Sequence, residues 1–129
     1  MLGKIIQHDD WKTEKHVPLI ECADRFRADE STVVTVSVGK KIAHPNTTEH
    51  HIRWIELYFH PQDEKFAYQV ARFEFNAHGE SVRGANRGPV YTNHIATTAM
   101  TINKPGKLHA LAYCNIHGLW ESEKEIGLL

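Results

Sequence analysis

The sequence predicts an all-β protein, a sandwich or barrel of the immunoglobulin-like kind. Three observations point there. No stretch of ten or more residues keeps a helical repeat of apolar side chains. Several short runs are instead rich in β-branched and aromatic residues, and some alternate apolar with polar. Turn-forming groups such as Gly39-Lys-Lys41, His60-Pro-Gln-Asp63 and Asn103-Lys-Pro-Gly106 separate them. At 129 residues the chain is long enough for one core without staples, so residues 1–129 are read as a single domain.

Taken in order, residues 1–12 are mixed, with Trp11 the one large anchor. Glu14-Lys-His-Val-Pro18 reads as a loop, because the proline disfavours helix at Val17. Val17–Cys22 has the makings of a short strand, and the charged run Ala23–Ser31 reads as an exposed turn. Thr32–Val38 alternates apolar with hydroxyl side chains and is a strand. The loop 43–50 follows. Ile52–Phe59 is β-rich, with Ile55, Leu57 and Phe59 on one face and Trp54 and Tyr58 on the other. Phe66–Phe75 is a further strand. Ala77–Pro89 is a loop long enough to be either functional or mobile. Val90–Thr92 and Ile95–Ile102 are strand-like, and Lys107–Tyr113 is a strand that puts Leu108, Ala110 and Ala112 on one face with Cys114. Lys124–Leu128 closes an edge.

Composition excludes several classes of partner. The net charge of −1 gives no reason to expect nucleic acid or an anionic membrane surface. No apolar run approaches the roughly 20 residues of a membrane helix, and Met1–Asp10 turns polar too early for a signal peptide. A cytoplasmic location is the expectation, and a reducing compartment argues against a Cys22–Cys114 disulfide. The outlier is histidine, with ten in the chain.

Three of those histidines fall in His44-Pro-Asn-Thr-Thr-Glu-His-His51, a segment whose polar side chains are costly to bury unless something binds them. Cys114-Asn-Ile-His117 sets a thiol and an imidazole at a spacing that lets both face one ion. Thiolate and imidazole suit zinc, copper or iron, not magnesium or calcium. Glu14-Lys-His16 adds a further imidazole. Adjacent residues entering a strand point to opposite sides, so only one of His50 and His51 should face the ion, and spacing does not say which. Four imidazoles and one thiolate exceed a closed tetrahedral zinc site. A square of nitrogens with an axial sulfur leaves one octahedral position free, which fits iron acting on a small molecule, and Lys15 favours an anionic one. His8, His60, His78, His94 and His109 have no partner at ligand spacing and are read as structural or solvated. Trp11, Trp54 and Trp120 are read as packing.

Four segments together resemble superoxide reductase of the one-iron type, also called neelaredoxin: Glu14–Pro18, His44–Ile52, Ala77-His-Gly-Glu-Ser81 and Tyr113-Cys-Asn-Ile-His-Gly-Leu-Trp120. The resemblance runs over nearly the whole chain. It implies one iron per chain, cycling between Fe2+ and Fe3+, held by His16, His44, His50 and His117 with Cys114 axial. It implies that Glu14 closes the sixth position in the oxidised state and that Lys15 is the cationic residue beside the open site. It implies a seven-stranded immunoglobulin-like barrel, a homotetramer, and one-electron reduction of superoxide to hydrogen peroxide with a rubredoxin-like donor. Ala43 departs from the proline expected before His44-Pro45, which removes no ligand. With two cysteines in total, the chain lacks the donors for the four-cysteine iron module that some relatives add. Two other readings compete. A copper carrier would need a methionine soon after His117, where Gly118-Leu-Trp120 stands, and a structural zinc site would be colourless.

Overall fold

The computed structural model describes residues 1–129. Eight strands form: β1 (Pro18–Glu21), β2 (Arg25–Phe26), β3 (Thr32–Val38), β4 (Ile52–Pro61), β5 (Tyr68–Glu74), β6 (Ile95–Met100), β7 (Gly106–Cys114) and β8 (Gly118–Leu128). They make a sandwich of a three-stranded sheet, β1-β3-β6, and a five-stranded sheet, β2-β8-β7-β4-β5. The only helical element is a single 3-10 turn at Leu2–Lys4, and no helix is long and apolar enough to cross a membrane.

The all-β sandwich is as the sequence predicts, and the strand count is eight instead of seven. The additional strand falls within Ala23–Ser31, where the charged residues read as a turn. Arg25 and Phe26 pair parallel with Gly127 and Leu128, and Phe26 is buried in the core. A two-residue strand carries no periodicity, so only its long-range partner reveals it. Val90–Thr92 contributes one isolated bridge, His78 to Tyr91, and no strand.

Alternation builds the core. Ile55, Leu57 and Phe59 of β4 and Leu108, Ala110, Ala112 and Cys114 of β7 face inward, against Val34, Val36 and Val38 of β3. Leu57 is fully buried. Leu57→Ala should therefore cost about 2–5 kcal/mol of stability, read as a lower denaturant midpoint at unchanged slope. An unshifted midpoint would contradict the packing described.

Two features of this frame place the later chemistry. The antiparallel β4–β7 register sets Ile52 opposite Cys114, so the loop entering β4 ends beside the last residue of β7. The β7–β8 hairpin then turns through residues 115–117 and closes on Gly118, whose φ of +79° is the left-handed conformation that glycine adopts without steric cost.

Candidate metal centre

Each donor is positioned by the strand end nearest it. Cys114 is the last residue of β7 and is wholly buried. His117 lies in the hairpin turn, its backbone N–H donating to Cys114 Sγ at 3.4 Å. His44 and His50 come from the β3–β4 loop. Close approach of that loop depends on Gly39, since a Cβ there would lie 2.6 Å from the His44 backbone nitrogen. His16 comes from the segment preceding β1.

The five groups converge. Ligand atoms of His16, His50, Cys114 and His117 all lie within 4.8 Å of one another. His16 Nε2 is 3.1 Å and His50 Nε2 is 3.3 Å from His117 Nδ1. His44 Nε2 lies 3.5 Å from Cys114 Sγ, and its ring centroid is 4.9 Å from that of His16 and 4.8 Å from that of His50.

Hydrogen bonds on the far ring nitrogens decide which lone pairs point inward. His44 Nδ1–H donates to the Pro45 carbonyl at 2.6 Å, and His16 Nδ1–H donates to a Glu14 carboxylate oxygen at 2.6 Å. Both therefore present an unprotonated Nε2 to the cluster, the tautomer that binds metal. Glu14 also accepts from the His16 backbone N–H, so its carboxylate stands behind His16 in this conformation. Lys15, between them, forms no ion pair with any carboxylate.

Burial disfavours protons on three of the imidazoles. It holds His44 down to about 3, with smaller contributions from repulsion by His16 and His50. His16 is lowered chiefly by burial, partly opposed by Glu14, and His50 by burial and then by the charges of His117, His16 and Lys15. The same features that disfavour protons here leave lone pairs available to an ion.

His51 points the other way. It is buried, donates from Nδ1 to the Thr47 carbonyl at 2.9 Å, and stacks on His78 with ring centroids 3.4 Å apart. His78 is thus structural. The long loop 77–92 is neither a ligand source nor detached. Thr48 Oγ1 donates to the His78 carbonyl, Asn86 Oδ1 accepts from the Thr48 backbone, and Asn86 Nδ2 donates to Glu49. It buttresses the loop that carries His44 and His50. His94 packs edge-on to His44 at 5.8 Å, with its own Nδ1 buried and without a hydrogen-bond partner. Nothing in the sequence singled out either contact, because both join segments remote along the chain.

The donor set fits a transition metal. One sulfur and four imidazole nitrogens exceed the tetrahedral zinc arrangement and match iron or copper in softness. The methionine a copper carrier would need is absent from the cluster: Met100 lines a cavity with Phe59 and Pro61, at the end of β4 away from Ile52. Cys22 is half-buried and unpaired, and burial pushes its thiol up.

A family model described as Desulfoferrodoxin matches residues 8–123. The chain belongs to the desulfoferrodoxin family. Within it, the chain is 61% identical to neelaredoxin of Megalodesulfovibrio gigas over 96% of this chain and 95% of that protein. It is 59% identical to superoxide reductase of Pyrococcus furiosus, over 95% and 97%. The solved structure of the superoxide reductase (neelaredoxin) from Archaeoglobus fulgidus, in the reduced form, superposes with a TM-score of 0.89 at 55% identity, covering 96% of this chain and 99% of that one. Desulfoferrodoxin relatives thus share both the sandwich and nearly the full length of this chain.

Proposed function

We propose that this protein is a superoxide reductase, taking superoxide with one electron and two protons to hydrogen peroxide. The observation that carries the reading is the convergence of four imidazoles and one buried thiol on a single point. The residues that would hold the metal are His16, His44, His50, His117 and Cys114, one ion per chain. Bound there, iron passing between Fe2+ and Fe3+ supplies the single electron.

The chain's own residues do the rest. Cys114 would give that metal a soft, electron-rich thiolate donor, the kind of ligand that raises electron density at the metal in haem enzymes. Full burial, opposite Ile52 and beside the His44 and His117 imidazoles, keeps water from that sulfur. Lys15, free of any carboxylate partner, draws the anion in and orients the water that supplies protons. Glu14 would close the metal position when substrate is absent. Its hold on His16 and that closure are the two ends of one swing, and the hydrogen bonds of Glu14 itself all stay within its own loop, to Asp10 and His16.

The electron must be replaced at each turnover, and a rubredoxin-like donor fits the exposed His117 imidazole with Ile116, 58% exposed, beside it. Assembly as a homotetramer is favoured by apolar Val33 and Ile95, each 58% exposed on the same outer face of the three-stranded sheet. Two free cysteines suit a cytoplasmic location.

Pulse radiolysis of the reduced, iron-loaded protein is the test. One hydrogen peroxide should appear per iron oxidised, without dioxygen. Dioxygen release with no net oxidation of iron would mean dismutation and would overturn the reading. In the same experiment Lys15→Ala should slow superoxide capture about tenfold, the low end of what electrostatic steering supplies. Its rate should also respond less to ionic strength, and an unchanged salt dependence would dispose of the steering role.

A further inference from the structure

His16 is the donor that the sheets hold least. It lies outside both of them, and every hydrogen bond of residues 8–16 stays within that segment except His16 Nε2 to His117 Nδ1. Both of those nitrogens face the metal position, so their mutual bond is no tether once an ion is present. Something else must set the ring.

We infer that Trp120 is the positioning residue that seats His16, and with it the Glu14–Lys15 segment, against the Cys114–His117 turn. Its indole stacks on the His16 imidazole, with ring centroids 4.8 Å apart and planes 15° from parallel. Its Nε1–H donates to the His117 carbonyl at 3.1 Å. One side chain thus touches two donors that come from opposite ends of the sequence. The backbone around it clamps the loop at both ends. Gln7 N–H donates to the Leu119 carbonyl, Glu121 N–H donates to the Gln7 carbonyl, and Ser122 Oγ donates to the Pro18 carbonyl.

The β7–β8 hairpin is held by an unbroken antiparallel ladder, and between Gln7 and Pro18 the one hydrogen bond to it is that of His16 Nε2 with His117 Nδ1, so with an ion in place the stack is what transfers the hairpin's order to His16. A flat aromatic face suits this role, since it fixes the plane of the imidazole while leaving both ring nitrogens to Glu14 and the metal. Contacts that orient a ligating histidine are typically worth about 10–100-fold in metal affinity.

The inference rests on reading the cluster as a metal site, and its test reads metal affinity instead of superoxide chemistry. Co2+ binding is measured by chelator competition at one pH for the parent, Trp120→Ala, Trp120→Phe, His16→Ala and the His16→Ala/Trp120→Ala pair, with the metal-free melting temperature of each. Trp120→Ala should weaken binding about tenfold. Trp120→Phe keeps a stacking face and should recover most of that. In the His16→Ala background the Trp120→Ala change should cost almost nothing, because coupled residues are not additive. Equal losses in both backgrounds, no loss in Trp120→Ala, or a Trp120→Phe variant as weak as Trp120→Ala would overturn the assignment. Should Trp120→Ala fail to fold, Trp120→Leu, which fills space without a stacking face, replaces it in the cycle. A protein that binds Co2+ with the expected coupling yet leaves superoxide unreduced when iron-loaded would refute the proposed function and leave Trp120's role standing.

Discussion

Cys114→Ser should abolish the thiolate-to-iron absorption of the loaded protein and most of its superoxide reductase activity, while the metal-free fold survives. The substitution is nearly isosteric at a fully buried position, so packing changes little. What changes is the donor. A serine hydroxyl is harder and far less readily deprotonated than a thiol, so the softest ligand of the set is lost. The His117 backbone N–H, which points at sulfur from 3.4 Å, then faces a shorter side chain. Removal of an outer-shell partner costs roughly 10–100-fold in affinity or activity, and removal of a ligand should exceed the upper end of that range. Visible absorption, iron content and reductase rate check the three parts. A variant that kept both the colour and the rate would show that the sulfur is not bound to the ion.

Acidification should destabilise the metal-free protein steeply below about pH 6.5. His44 is held down to about 3 from an ordinary 6.5 by burial. Between those values the unfolded chain binds a proton that the folded chain refuses, so stability is fully present above 6.5 and falls as pH drops towards 3. At about 1.4 kcal/mol per pKa unit, this one residue contributes on the order of a few kcal/mol. His16, His50, His78 and His94 are all lowered in the same direction, burial being the first cause in each. The melting temperature should fall by about 10 °C or more between pH 7 and pH 5, at roughly 3–5 °C per kcal/mol for a chain of this size. A metal binds only the neutral imidazoles. At a thousand times its dissociation constant it should add about 4 kcal/mol, so the loaded protein should melt higher at neutral pH and lose the ion in acid. A metal-free melting curve flat from pH 7 to pH 5 would mean that the histidines are solvated, not packed as described.

Most of the donor set was legible in the sequence because its spacing is local. Cys114 and His117 are separated by a short turn, and His44 and His50 share one loop. The alternation in Thr32–Val38 and Ile52–Phe59 likewise marks strands without reference to any partner. Spacing did not decide between His50 and His51. That choice depends on how β4 enters the sheet, and here the register is irregular between Ile52 and Trp54. With His51 donating to Thr47 and stacking on His78, His50 is the one turned inward.

The sequence by itself therefore determined an all-β sandwich, three donor-bearing segments and a metal chemistry suited to sulfur and nitrogen. Only the tertiary structure decided that Ile52 pairs with Cys114, that residues 77–92 buttress the histidine loop, and that Trp120 lies over His16. The division has a physical cause. Backbone preference and side-chain alternation act between neighbours and are written along the chain. The register between strands and the packing of one loop on another are set by burial across the whole core, which no short window of sequence contains.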